Sequence, residues 1–80
     1  MSIQHFKKNS EVCIGSIKVI TISKIGYYSS VEKALLDKVL KIISSEKKKS
    51  YKLINYNIFK IRDFPNTQTQ EYIAQILLTL

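Results

Sequence analysis

Five segments stand out in the alternation of apolar and polar positions along the chain. Residues 17–25, Ile-Lys-Val-Ile-Thr-Ile-Ser-Lys-Ile, are rich in β-branched side chains and predict a strand with both faces partly covered, the centre of a small mixed sheet. The turn Ile25-Gly26-Tyr27-Tyr28-Ser29-Ser30 follows. Val31, Leu35, Leu36, Val39, Leu40, Ile42 and Ile43 then recur at three- and four-residue spacing, with Lys33, Asp37, Lys38 and Lys41 largely on the other side. That spacing predicts an amphipathic helix over residues 30–45, with Ser29 and Glu32 placed as a capping box at its start.

Residues 51–64 return to strand character through Leu53, Ile54, Tyr56, Ile58, Phe59 and Ile61, and Lys60 and Arg62 are expected on one face of the far end. Pro65 ends this strand. Thr67 and Gln70 repeat the capping-box spacing, and Tyr72, Ile73, Ile76, Leu77 and Leu80 trace the stripe of a second helix. Upstream, residues 11–15 form a short β-prone piece that Gly15-Ser16 folds back as a tight hairpin.

The expected architecture is therefore α+β: a mixed β-sheet covered on one face by two helices, with two strands parallel across a right-handed helical crossover. Eighty residues make one domain, read here as a basic arm over residues 1–10, ordered only when something binds it, and a folded domain over residues 11–80. The apolar finish, Leu77-Leu78-Thr79-Leu80, predicts that this end packs on something or that the ancestral chain went further.

Composition adds a partner class. Thirteen Lys plus Arg against six Asp plus Glu give a net charge of +7, which favours a polyanion or an acidic surface. No apolar run spans a bilayer, and the first ten residues lack the hydrophobic core of a signal peptide, which predicts a soluble, intracellular chain. Abundant Lys, Ile, Asn, Tyr and Ser, without Trp, match an AT-rich genome such as that of an organelle, a parasite, a symbiont or a phage.

Catalysis finds little support. Asp37 and Asp63 lack partner carboxylates at useful spacing, Cys13 has no local base, and Gly26 alone does not make a nucleotide phosphate loop. Cys13 and His5 do not amount to a metal site, and no cofactor or small-molecule substrate is implied. Binding fares better, because Gly26 precedes a helix N-terminus, whose free amides favour phosphate, and is flanked by Lys18, Lys24 and Lys33. Tyr27 and Tyr28 offer faces for stacking on bases, although at least one of them is expected to pack into the core beneath the helix. Lys47, Lys48 and Lys49 suit either a phosphate contact or a solvated helix end favoured by the macrodipole.

The order of strand, Ile-Gly turn, helix, strand, proline turn and helix resembles the type II KH domain, in particular the N-terminal region of the bacterial-type small-subunit ribosomal protein S-three. The resemblance rests on IKVITI at positions 17–22, IG at 25–26, GYYS at 26–29, VEKA at 31–34, IFKIRDFP at 58–65 and YIAQILLTL at 72–80. The second glycine of the family's GxxG loop is Ser29 here, which predicts a weakened grip on single strands.

The resemblance implies a structural component of the small ribosomal subunit in a mitochondrion. Its partners would be ribosomal RNA, other small-subunit proteins and a separate polypeptide carrying the missing C-terminal domain. The implied RNA contacts are Lys18, Lys24, Gly26, Tyr27, Tyr28, Ser29, Lys33, Lys47, Lys48, Lys49, Lys60 and Arg62. A competing expectation is a phage or parasite module that docks on a host protein through its tyrosines and apolar end. A membrane-surface role is disfavoured, because the apolar stripe of the first helix is needed for the core.

Overall fold

The structure is a computed structural model that describes residues 7–80, with side chains from residue 10 onward. The described residues form four strands and one helix in the order β1 (Lys7–Ile14), β2 (Ile17–Tyr27), α1 (Val31–Lys48), β3 (Lys52–Phe64) and β4 (Thr69–Thr79). The strands form one sheet in the order β1-β2-β4-β3, and every neighbouring pair is antiparallel. This α+β domain thus departs from the expected mixed sheet and from the expected second helix.

The second helix is replaced by β4, at the centre of the sheet. Tyr72, Ile73, Ile76 and Leu77 fit a helical stripe, but Ala74 and Leu78 are apolar as well. The segment therefore also fits a strand with two apolar faces, a short run that periodicity does not distinguish from a helix. Tertiary structure decides: β2 and β3 both present backbone N–H and C=O groups toward the gap between them, and an extended β4 satisfies both ladders at once. Thr67 accordingly caps no helix; its hydroxyl donates to the Phe64 carbonyl in the turn from β3 to β4.

Because β2 and β3 each run antiparallel to β4, they point the same way, as a helical crossover requires, yet they are not adjacent. The hairpin between β1 and β2 forms as expected. Gly15 takes φ 61 at the first of two loop positions, a left-handed conformation that glycine adopts without strain. Of the expected arm, residues 7–10 belong to β1, and residues 1–6 lie outside the described residues.

Helix α1 covers one face of the sheet. Ile20 and Ile22 of β2 and Ala74, Ile76 and Leu78 of β4 pack against Leu35, Val39 and Ile43, with Tyr56 and Ile58 of β3 extending the core at its margin. Each fully buried Leu or Ile is worth about 1.5–3 kcal/mol of transfer free energy. The helix starts at the N-cap Ser30, which makes no side-chain capping bond, so the Ser29–Glu32 capping box is not formed.

Its far end is closed by backbone. The Ser50 amide donates to the Lys47 carbonyl and the Tyr51 amide to the Glu46 carbonyl, with Ser50 at φ 74. This is a Schellman arrangement with serine where glycine is usual. It carries the helix through Lys47 and Lys48, beyond the expected end at residue 45.

Candidate nucleic-acid interface

Eleven of the twelve residues expected at an RNA site fall into three places, and Lys33 lies apart from them. Lys18 and Lys24 lie on the helix-facing side of β2 and are buried, at 6% and 3% exposure, so neither is a surface cation. The period of two along β2 causes this: even positions from Lys18 to Lys24 share the face of Ile20 and Ile22. Burial without full compensation lowers the Lys24 pKa.

Lys18 is built into the fold. Its Nζ donates to Glu46 Oε1 at 2.8 Å, lies 3.4 Å from Glu11 Oε2 and sits 4.7 Å above the centre of the Tyr51 ring. The Glu46 bond is the main reason its pKa is raised, against the opposing effect of burial. One cation therefore ties β1, β2, the last turn of α1 and Tyr51, in the connection to β3, together.

Gly26, Tyr27, Tyr28 and Ser29 form the second place. Gly26 and Tyr27 are paired residues of β2, opposite Gln70 and Thr69, rather than the start of a loop. At Gly26 a Cβ would lie 3.1 Å from Cβ of the fully buried Val31, so the glycine lets the first turn of α1 approach the sheet. Tyr27, Tyr28 and Ser29 are exposed, and the Tyr28 amide donates to the Gln68 carbonyl, joining this turn to the one between β3 and β4.

Lys60 and Arg62 reach the same end of the molecule, on opposite faces. A β-bulge between them shifts the register, so Lys60 stands opposite Tyr72 and Arg62 opposite Glu71. Lys60 pairs with Asp63 at 2.9 Å, and Arg62 with Glu71 at 3.0 Å. Asp63 also accepts from Gln70 Nε2, and the bonds from Lys60 and Gln70 hold its carboxyl below the usual range.

The third place is the C-terminal half of α1 and the start of β3. Residues 38–52 contain six lysines and one carboxylate, Glu46, and that carboxylate is turned inward at 5% exposure. Lys49 reaches its second oxygen at 3.5 Å. Lys41, Lys47, Lys48 and Lys52 are exposed and form no ion pair among the described residues.

Lys33 lies earlier on the same solvent-facing side of α1, near Asp37 in the helical repeat. Lys41 and Lys52 were not among the expected contacts. Lys41 falls within one helical face of Lys48, and that spacing could have identified it. Lys52 depended on knowing where β3 begins.

No family model, curated protein or solved structure matches the chain. Among the described residues no group of three His, Cys, Asp or Glu side chains is placed to hold a metal ion, and no helix is long and apolar enough to cross a membrane. Cys13 is an exposed free thiol on β1.

Proposed function

We infer that this protein is a structural, non-catalytic RNA-binding protein, and that it holds phosphate groups on the lysine-rich end formed by Lys41, Lys47, Lys48, Lys49 and Lys52. The observation that carries this reading is the inward turn of Glu46. The one acidic residue in residues 38–52 is spent on Lys18, and the outward lysines keep their positive field. Exposed ammonium groups at a helix end act as point charges on phosphate, which suits a backbone contact without sequence readout.

The KH resemblance supplies the partner: ribosomal RNA of a small subunit, in a mitochondrial ribosome, with other small-subunit proteins as neighbours. The loop of a KH domain contributes no grip in this reading, since Gly26 and Tyr27 belong to a strand. Titration of structured ribosomal RNA at increasing salt tests the reading. Affinity should fall steeply, and Lys47→Ala, Lys48→Ala and Lys52→Ala together should flatten the log–log slope by about 2, at about 0.7–0.9 per phosphate contact. Binding that ignores salt, or a triple variant with the slope of the parent, would overturn it.

A further inference from the structure

We propose that the face of the sheet opposite α1 is a contact between two copies of this chain, packed sheet on sheet. Odd-numbered positions of β2 and β4 point to this face. An antiparallel sheet with one solvated face places polar residues outward, but the central strands here place Val19, Ile73 and Leu77 there. The register sets Val12 of β1 beside Val19 and Phe59 of β3 beside Ile73, and each of these two outer side chains is 47% exposed. Nothing among the described residues covers them.

Charge chooses the occupant. On a chain of net charge +7, this face carries, among described side chains, only Lys52 at its rim and the mutually neutralised Arg62–Glu71 pair. The exposed lysines of α1 lie on the other side, so a polyanion has little to pair with here. Two copies joined through this face turn their lysines away from each other.

Size agrees as well. Central strands of 11 residues at about 3.3 Å per residue, in a sheet of four strands about 4.8 Å apart, give a face of roughly 700 Å², near the roughly 800 Å² that each partner gives to a standard interface. A two-fold axis near the row of Thr21 and Gln75 lets these polar side chains bond to their counterparts, while the aliphatic groups on either side stack at about the 10 Å spacing of packed sheets. Edge-to-edge pairing is disfavoured on the β3 side, because two bulges, after Leu53 and after Lys60, interrupt that strand.

Sedimentation equilibrium of the full chain at micromolar concentration is the test. A mass near twice 9.3 kDa is expected. The exposed positions Val12→Glu and Phe59→Glu together should give a monomer with an unchanged circular dichroism spectrum, while Lys47→Glu with Lys48→Glu should stay dimeric. A parent chain that sediments as a monomer overturns the proposal. So does a dimer that survives the two glutamates, or a mass that climbs with concentration beyond two.

Discussion

The two ends of this molecule treat their charges in opposite ways. At the tyrosine end, Lys60 and Arg62 are each matched by an exposed or half-exposed carboxylate, so the surface is close to neutral. At the lysine end Glu46 is withdrawn into the seam between helix and sheet and Glu11 also turns to the buried Lys18, so the exposed lysines keep the surface basic. They stand roughly 33 Å apart along β2, at about 3.3 Å per residue. A cation's value as a ligand contact depends less on its presence in the sequence than on where the nearest acid points.

The largest test of this contrast is Glu46→Ala. It leaves Lys18 buried with the Tyr51 ring and the longer Glu11 contact, and urea denaturation should report a loss of about 3 kcal/mol or more, since breaking a buried pair from one side is the costly case. Adding Lys18→Met should restore most of it. A single-variant loss below about 1 kcal/mol would mean that the pair is a surface pair in energetic terms.

Glycine placement gives a smaller and opposed pair of effects. Gly26→Ala sets a methyl against Val31 and should cost about 1–2 kcal/mol at the tyrosine end. Ser50→Gly relieves a left-handed serine and should gain about 1 kcal/mol at the lysine end. Thermal melts moving in the same direction for both would refute this account.

The smallest effect belongs to Asp63. Its carboxyl, held low by Lys60 and Gln70, adds stability that is complete above the ordinary carboxylate pKa and is lost as pH falls through the depressed value. In an NMR titration Lys60→Ala should move that midpoint upward. An unmoved midpoint would show that the bond from Lys60 is not its main cause.

Much of the scaffold was legible in the sequence, because its signals were local. The Gly15-Ser16 hairpin, the β-branched run of β2, the periodicity of α1 and the proline stop after β3 each depend on neighbouring residues. What escaped depends on partners far along the chain. β4 is a strand because β2 and β3 both need it, and Lys60 and Arg62 separate because of one bulged residue. Of the expected contacts, Lys47, Lys48 and Lys49 sit in the basic end, whereas Lys18 and Lys24 fell on the inner parity of β2, which only the position of α1 fixes.

The strand order has a consequence for how the chain folds. Two hairpins, β1 with β2 and β3 with β4, are local and form in microseconds as isolated events. The β2–β4 ladder pairs Ile17 with Thr79, so joining the hairpins closes a loop that contains the whole of α1. That long-range closure, rather than either hairpin, should set the folding rate. β4 seals the sheet at its middle, and until the two hairpins join, both β2 and β4 remain open edges.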